Sequence, residues 1–461
     1  MKMTFRKSMQ YLSFGLLVLL VGLSSSSTCL YGGEGAQRFA ARRQALMDQV
    51  KEGVVLIQSS GGSEINPDLY DKNLQYLTGL TSKQAVLLLA PKGVTVDRME
   101  TFLGPEVGRG RVVNEVLFVE VLTARQAYLD GPGASQTHIK NMTGISKVYP
   151  LSRLNEVLQD NCRRTSVVWF NKPSVSISDP LPADLILINK LKERYFWIDF
   201  RNVAPLIHEM RRIKDPFEIE CLRKAFQIHS EIYVKIMSTL KPGMNEADGE
   251  AIFESALIKR ANPKDTPGFV KEVSDSLDMM NAQIIVASGK NSTIGHYVEN
   301  NQVIKDGDLI LIDAGVSYKG YSSDITRTFP ANGKFTPRQK ELYAIVLEAQ
   351  KKAIATMEPG STARRAHNAV YRHFKEHGLE KYGYGVCGHP VGLNIHDANG
   401  DFDIPFEPGV VIVIEPFLAI LEEGIGIRIE DGVLITETGA ELLPGPPKEI
   451  ADIEALCQRR D

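Results

Sequence analysis

The sequence predicts an α/β amino-terminal domain followed by an α+β domain that is built from two similar halves with pseudo-two-fold symmetry. Two observations support this prediction. Strand-like and helix-like segments alternate in the first part of the chain. In the second part, the same order of helix start, amphipathic helix and apolar strand occurs twice. We place the two domains at residues 37–205 and 206–456 of the 461-residue chain.

The composition is ordinary for a globular protein. Hydrophobic residues make up 43% and charged residues 24% of the chain, which argues against a disordered or fibrous protein. The formal net charge of -3 provides no basic surface for a phosphate backbone, so we expect no nucleic-acid partner. The five cysteines form no CxxC pair, which argues against a zinc ribbon, an iron–sulfur cluster or a disulfide scaffold.

Residues 1–28 have the pattern of a secretory signal peptide. A basic segment at residues 2–7 precedes an apolar run of 13 residues at positions 11–23, and small polar residues follow it. The run is shorter than the ~20 apolar residues that a membrane-spanning helix needs. We therefore expect export to the periplasm or the exterior, with an undetermined cleavage site. An uncleaved anchor and lipidation of Cys29 are the alternatives.

The first domain is predicted from alternating periodicities. Residues 38–50 have the spacing of an amphipathic helix, whereas residues 54–58, 85–90 and 167–170 are short apolar runs typical of buried strands. This alternation predicts an α/β domain.

Two long helices with similar start signals open the halves of the second domain. Residues 215–218 read Asp-Pro-Phe-Glu, which combines an N-cap, a first-turn proline and an acid at the third helical position. Residues 336–339 read Thr-Pro-Arg-Gln, 121 residues later. Each helix is followed by a second amphipathic segment, at residues 247–260 and 363–376. The repetition predicts two equivalent helix pairs.

An apolar strand that ends in an acid follows in each half. Residues 307–313 (GDLILID) match residues 409–415 (GVVIVIE), so Asp313 and Glu415 hold equivalent positions. In each half a histidine precedes this acid, and a further acid follows on the next predicted strand. These residues are His296, His396, Asp324 and Glu430. The joint pattern predicts an internal duplication.

The four acids predict a metal site. An ionised carboxylate in an apolar strand costs several kcal/mol unless it is paired or bound to a metal. A buried ion pair or a turn cap explains one such acid equally well, but four acids in matching positions repel one another unless cations neutralise them. Four carboxylates balance two divalent ions, and an oxygen-rich set with one histidine favours Mn²⁺ and admits Co²⁺, Zn²⁺ or Fe²⁺. Two such ions can hold a nucleophilic hydroxide.

The segments around these acids resemble the pita-bread metallopeptidases, a family that includes Xaa-Pro aminopeptidases, prolidases and methionine aminopeptidases. The first domain is similar to the amino-terminal domain of Xaa-Pro aminopeptidases, particularly at residues 73–80, and the resemblance covers about residues 39–456. The segments that carry the resemblance in the second domain are residues 310–315, 321–329, 388–397, 414–416 and 426–431.

The resemblance implies a role for each site residue. Asp324 and Glu430 occupy the positions that bridge the two metals. His296 and His396 match histidines that line the substrate pocket and stabilise the oxyanion. Arg428 matches an arginine linked to the metal-site carboxylates. The implied metal ligands are Asp313, Asp324, His389, Glu415 and Glu430.

The resemblance also implies the activity. The expected enzyme is a metal-dependent aminopeptidase that releases the first residue from peptides with proline at the second position, by attack of a hydroxide held between two metals. It is expected to form a homo-oligomer, a dimer or a tetramer. The alternatives are a prolidase-type Xaa-Pro dipeptidase, a metal-independent creatinase-like hydrolase and an inactive pita-bread binding module. Because all five ligand positions are filled, the sequence argues against the creatinase class.

Two departures from the family pattern predict altered activity. Relatives usually carry a histidine four residues before the ligand histidine, where this chain has Gly385. They usually also carry Glu-Pro-Gly, an aliphatic residue and tyrosine, where this chain has Phe417 and Ala419 at the glycine and tyrosine positions. A group that donates hydrogen bonds or relays protons commonly contributes about 10²–10⁴-fold in rate. We therefore expect intact metal binding with weaker turnover or shifted specificity, unless Tyr382 or Tyr384 supplies a hydroxyl.

Overall fold

A computed structural model describes the chain at residues 34–59, 72–81, 84–97, 111–122, 124–125, 128, 134–172, 181–260, 284–384, 387–398 and 400–458. The predicted signal peptide at residues 1–28 lies outside these segments, as do Cys29 and Gly385. No helix within the described segments is long and apolar enough to cross a membrane.

A six-stranded mixed sheet forms the centre of the first part of the chain. Its strands are β1 (Val54–Ser59), β2 (Ala85–Val96), β3 (Arg111–Val119), β4 (Val148–Pro150), β5 (Val167–Phe170) and β6 (Asp199–Asn202). Their order is β4-β3-β2-β1-β5-β6, in which the β1–β2 and β2–β3 pairs are antiparallel and the others are parallel. The predicted strands are all present.

Helices cover both faces of this sheet, which explains why its central strands are continuously apolar. Val55 and Ile57 of β1 face one core cluster, and Val54 and Leu56 face the other. The first three helices pack on one face and the next two on the other, and the sixth leads into the second part. They are α1 (Glu34–Val50), α2 (Lys72–Thr78), α3 (Gln136–Thr143), α4 (Leu154–Cys162), α5 (Ala183–Arg194) and α6 (Ala204–Arg212).

The second part contains the two predicted helix pairs and a final helix. Both long helices begin with a capping box: Asp215 and Glu218 exchange backbone-to-carboxylate hydrogen bonds of 2.9 Å, and Thr336 and Gln339 form the equivalent pair. These reciprocal bonds satisfy N–H groups that would otherwise lack partners at a helix start. The helices are α7 (Pro216–Met237), α8 (Glu246–Arg260), α9 (Pro337–Ile354), α10 (Ala363–Glu376) and α11 (Ile450–Gln458).

Three small antiparallel sheets lie among these helices. Their strands are β7 (Ile285–Ser288), β8 (Leu309–Tyr318), β9 (Tyr321–Pro330), β10 (Gly383–Tyr384), β11 (Val411–Ile414), β12 (Phe417–Ile420), β13 (Ile425–Arg428), β14 (Asp431–Thr436) and β15 (Gly439–Leu442). The sheet orders are β7-β8-β9, β10-β12-β13 and β11-β14-β15. Helix α7 packs on β8 and β9, where the Tyr233 hydroxyl donates to the Ile325 carbonyl at 2.7 Å.

The duplication predicted from the sequence places the acids as expected, with one difference. Asp313 lies within β8, Asp324 within β9, and Glu415 directly after β11. Glu430, expected on a strand, lies instead at the junction between β13 and β14. The chain passes there from one three-stranded sheet to another, so Glu430 leaves the β12–β13 ladder while its N–H donates to the Thr326 carbonyl at 3.1 Å.

Buried charges connect the two parts of the chain next to the second predicted histidine. Arg211 of α6 donates to the Asn73 amide oxygen of α2 at 2.7 Å and to the carboxylate of Asp397. Lys214 donates to the second oxygen of that carboxylate at 3.2 Å. Because Asp397 directly follows His396, the contact between the two parts also fixes the histidine segment.

Candidate metal centre and substrate cleft

The first two predicted ligands lie on one face of the β8–β9 ladder. Asp324 is opposite Gly315, and Asp313 is opposite Thr326, so the two acids are diagonal neighbours. Diagonal side chains in an antiparallel ladder are close enough for long or polar side chains to act together. The hairpin therefore brings two carboxylates together with no help from the rest of the fold.

The second half of the domain adds an imidazole and a third carboxylate. His389 Nε2 lies 3.5 Å from Asp324 Oδ2 and 3.7 Å from Glu415 Oε1. The N–H of Glu415 donates to the Cys387 carbonyl at 3.1 Å, which aligns the histidine segment with β11. His389 Nδ1 lies 3.1 Å from the Pro390 carbonyl. A hydrogen bond there places the proton on Nδ1 and leaves the Nε2 lone pair free for a metal.

Glu430 supplies the fourth carboxylate and is almost fully buried. Its Oε2 accepts a 2.8 Å hydrogen bond from the Thr326 hydroxyl, whereas its Oε1 is buried and has no hydrogen-bond partner among the described residues. A buried polar atom without a partner costs about 1–3 kcal/mol. Asp324, His389 and Glu430 each offer a ligand atom within 4.8 Å of the other two. The orphaned oxygen therefore fits a metal ligand.

The carboxylates of the centre are held in unfavourable electrostatic surroundings. Burial, together with the charge of Asp313, raises the pKa of Asp324 from its usual 3.8 to about 6. Burial and the same neighbouring acids raise the pKa of Glu415 from 4.5 to about 7 and that of Glu430 well above 4.5. Burial lowers the pKa of His389, but the Asp324 carboxylate outweighs it and the pKa rises to about 8.

Arg428 offsets part of this negative charge. Its guanidinium forms an ion pair with Asp313, donates from Nε to the Thr326 hydroxyl at 3.1 Å and donates from Nη1 to the Gly295 carbonyl at 3.1 Å. One arginine and one histidine do not balance four acids. Divalent cations would offset the remaining negative charge, and an oxygen-rich donor set with one imidazole suits Mn²⁺ and neighbouring transition metals. The residues present therefore fit a centre for divalent metal.

Both predicted pocket histidines lie beside this centre. The ring centroid of His396 is 4.1 Å from that of His389. Burial, then the positive charges of His389 and His296, lower the pKa of His396. His296 is exposed in a cleft of about 380 Å³ and directly follows Gly295, whose carbonyl Arg428 binds. The structure thus gathers all eight predicted site residues around one region.

Two residues that orient the centre were not predicted. Thr326 donates to Glu430 and accepts from Arg428, so its hydroxyl fixes both. Gln350 of α9 is fully buried and donates to the carbonyls of Ile414 and Ile429, at 3.1 Å and 2.9 Å. These carbonyls directly precede Glu415 and Glu430. The available signal was a polar side chain at an apolar position of an amphipathic helix, which alone does not reveal its partner.

The duplicated α+β domain and its oxygen-rich ligand set define a metal-dependent hydrolase. The chain belongs to metallopeptidase family M24, whose family model matches residues 220–437, and the model of the aminopeptidase P N-terminal domain matches residues 39–169. This match confirms the predicted pita-bread fold and the metallopeptidase class. It favours that class over a creatinase-like hydrolase or an inactive binding module.

Individual relatives agree with the family assignment. The Xaa-Pro aminopeptidase of Escherichia coli (strain K12) is 31% identical, over 91% of this chain and 97% of its own. The human Xaa-Pro aminopeptidase 3 is 29% identical, over 91% of this chain and 86% of its own. A structure of an Escherichia coli aminopeptidase P variant in complex with substrate superposes with a TM-score of 0.75 at 28% identity, covering 92% of this chain and 98% of that chain.

Glu415 should destabilise the metal-free protein as the pH rises. Its pKa is about 7 in the folded chain, against 4.5 when unperturbed. Below about pH 4.5 the carboxyl group is protonated in both the folded and the unfolded chain, and the stability is full. As the pH rises through 7, the unfolded chain releases this proton more readily than the folded chain does, so the free energy of unfolding falls. Replacing Glu415 by Gln removes this titration. In chelator, urea unfolding of Glu415→Gln should give a free energy of unfolding above that of wild type by on the order of 3 kcal/mol at pH 8.

The difference between the two proteins should disappear below pH 4, and added Mn²⁺ should reverse their order, because wild type alone keeps the full ligand set. Glu437→Gln, at an exposed acid outside the centre, is the matched control and should follow wild type at every pH. Parallel pH curves for wild type and Glu415→Gln would show that Glu415 is not under the repulsion described above.

Proposed function

We propose that the protein is an Xaa-Pro aminopeptidase with two divalent metal ions, which releases the first residue from peptides that have proline at the second position. The observation that carries the proposal is the convergence of four carboxylates and His389, with the orphaned Glu430 oxygen among them. The amino-terminal domain adds support, because its family model is that of aminopeptidase P. The similarity of the chain to Xaa-Pro aminopeptidases supports the choice of peptide.

The metals in this proposal, Mn²⁺ in the first instance, would be held by Asp313, Asp324, His389, Glu415 and Glu430. When bound, they supply a hydroxide nucleophile and polarise the scissile carbonyl. We assign Asp324 and Glu430 as the central pair of ligands, because both are buried. Asp324 lies in β9, and Glu430 is bound by Thr326 of the same strand. Thr326 fixes one oxygen of Glu430 and leaves the other for a metal.

The residues of the chain then orient the reacting groups. Arg428 holds the Asp313 carboxylate and the Gly295 carbonyl, which directly precedes His296. The ring of His396 lies tilted beside that of His389, with the centroids 4.1 Å apart, and the residue is exposed. We assign His296 and His396 to hydrogen bonds with the substrate and with the oxygen that becomes negative during attack. Preorganised donors of this kind lower the barrier because they need no rearrangement as charge develops.

A two-metal site also suits the chemistry of a bond to proline. That bond is a tertiary amide and has no N–H group that an enzyme could bind. Recognition must therefore come from the carbonyl oxygen, the free amino terminus and the shape of the pyrrolidine ring. A metal-polarised carbonyl provides the first of these contacts without an N–H donor.

Chelation should abolish hydrolysis of Xaa-Pro peptides, and added Mn²⁺ should restore it. Asp324→Ala and Glu430→Ala should each lose at least about 10³-fold in kcat/KM, because each removes a central ligand. The assay compares Xaa-Pro dipeptides, longer Xaa-Pro peptides and peptides without proline, with metal content measured on each protein. Glu437→Ala is the matched control and should retain wild-type activity and metal.

Each outcome of this panel decides between functions. Hydrolysis of Xaa-Pro dipeptides alone would replace the aminopeptidase by a prolidase-type dipeptidase. Equal hydrolysis of peptides without proline would refute the proline specificity. Full activity of either ligand variant after chelation would refute the two-metal centre.

The second departure from the family pattern, at Phe417 and Ala419, lies on β12 beside Arg428. Ala419 and Phe417 are buried on the same face of β12, and the Arg428 guanidinium carbon lies 5.3 Å from the Phe417 ring centroid. The space beside Arg428 is therefore apolar where relatives place a phenol hydroxyl. Phe417 and Ala419 share a small apolar cluster with Ile285, Ala287, Tyr297 and Leu311.

Restoring the usual residues should raise activity. The triple variant Gly385→His, Phe417→Gly, Ala419→Tyr should gain about 10-fold or more in kcat/KM on a fixed Xaa-Pro panel, because it regains an imidazole and a hydroxyl. Phe417→Gly is included because Ala419→Tyr alone would overpack the cluster, at about 1–3 kcal/mol of stability. Metal content should stay the same in all variants. A wild type that already turns over at ordinary family rates, with no gain on restoration, would show that the departures are neutral.

We further propose that the protein is exported, on the basis of the signal-like pattern at residues 1–28. Mature protein recovered outside the cytoplasm should lack this segment, which amino-terminal sequencing or intact mass will show. Cytoplasmic protein with an intact amino terminus would refute export.

Association into dimers or tetramers stays a prediction, which the molar mass in solution tests.

A further inference from the structure

A buried carboxylate outside the metal centre organises the segment that carries His296. Glu246 is the first residue of α8, and its side chain is fully buried. Its Oε1 accepts hydrogen bonds from the N–H and the hydroxyl of Ser288, both at 2.7 Å, and from the Asn291 amide at 3.0 Å. Its Oε2 accepts from the Tyr297 hydroxyl at 2.8 Å and from the Gln302 N–H at 3.0 Å.

These five donors span the whole segment from residue 288 to residue 302, which we call the His296 segment. The backbone N–H groups of Ser288 and Gln302 bind Glu246 at the two ends of the segment, and the Tyr297 hydroxyl binds it next to His296. Asn291, Tyr297 and Gln302 also line the cleft into which His296 is exposed. One side chain thus holds three of the residues that line the cleft beside His296.

The other side of the His296 segment is held from the metal centre. Arg428 donates to the Gly295 carbonyl at 3.1 Å and is paired with Asp313. His296 therefore lies between two residues that are each held by a buried side chain, Gly295 by Arg428 and Tyr297 by Glu246. This arrangement determines where the imidazole stands relative to the metal ligands.

The chemistry of the site requires a carboxylate. Five donors point at the two side-chain oxygens of Glu246. A carboxylate offers about four lone-pair positions as acceptor sites and no donor, so it can accept all five bonds if two donors share one position. A glutamine at this position would place its NH₂ group against one of the two sets of donors, and those donors would have no acceptor. Among the described residues, the partners of the buried Glu246 side chain are these hydrogen-bond donors rather than a lysine or an arginine, so the hydrogen bonds compensate its burial.

We propose that Glu246 is a positioning residue for peptide hydrolysis, which fixes the His296 segment so that the His296 imidazole is presented to the substrate beside the metal centre. The inference rests on the proposed function, because it concerns the same reaction. The competing explanation is that Glu246 only stabilises the fold, in which case its loss would act independently of His296.

A double-mutant cycle separates these explanations. Glu246→Gln should lower kcat/KM by about 10–10²-fold, since small misplacements of catalytic groups have effects of this size. His296→Ala should lower it by about 10²-fold or more. In the double variant, Glu246→Gln should cost less than about 3-fold beyond His296→Ala, because residues acting through one group are not additive. Equal losses from Glu246→Gln in both backgrounds would overturn the proposal.

The matched control is Glu254→Gln on the same helix. Glu254 is half-buried and forms no hydrogen bond to the His296 segment within the described parts of the chain. This variant should keep wild-type kcat/KM in both backgrounds. If Glu246→Gln does not yield folded protein, Tyr297→Phe enters the same cycle, because it removes one of the five hydrogen bonds and keeps the ring packing.

A readout independent of activity distinguishes failure of this inference from failure of the proposed function. In Glu246→Gln, amide hydrogen exchange should accelerate at Ser288 or at Gln302, because the single amide oxygen of glutamine can accept from only one of these two N–H groups, and it should not accelerate in the β8–β9 ladder. Metal content should equal that of wild type. Unchanged exchange at both amides, or acceleration throughout the chain, would overturn the positioning role even if the wild type proved to hydrolyse no Xaa-Pro peptide.

Discussion

The mutual repulsion of four carboxylates in a mostly buried site is the constraint on which the rest of this structure depends. Burial and neighbouring charge raise the pKa of Asp324, Glu415 and Glu430. Such a cluster persists only if cations neutralise it and if rigid surroundings prevent the acids from turning away. Bound cations and a rigid scaffold are therefore both needed to keep the four carboxylates close together.

The scaffold provides this rigidity through backbone and buried polar contacts. A hairpin fixes Asp313 and Asp324 in register, and α9 uses Gln350 to hold the carbonyls in front of the other two acids. Thr326 and Arg428 then bond to ligand oxygens. Each ligand is thereby held by an element whose position is fixed by packing elsewhere, and the cost of gathering like charges is met by the stability of the whole domain.

The same scaffold joins the metal centre to the cleft that His296 lines. Arg428 connects Asp313 with the His296 segment at Gly295, and Glu246 holds the same segment at Tyr297. His396 directly precedes Asp397, whose carboxylate binds Arg211, and Arg211 also contacts Asn73 of the first domain. Both pocket histidines are thus placed by buried polar residues rather than by the metal ligands alone. The amino-terminal domain therefore contacts, through Asn73 and Arg211, the residue next to His396.

The sequence by itself determined the local features: the capped helices at Asp215 and Thr336, the apolar strands and the strand-end acids. These depend on periodicity and on contacts within a few residues, which a linear pattern records. The resemblance added His389 and Arg428. Only the tertiary structure decided the position of Glu430 between two sheets, the partners of Thr326 and Gln350, and the grouping of donors around Glu246. These depend on residues 40 to more than 100 positions apart, whose contacts form only when the helices and sheets pack together.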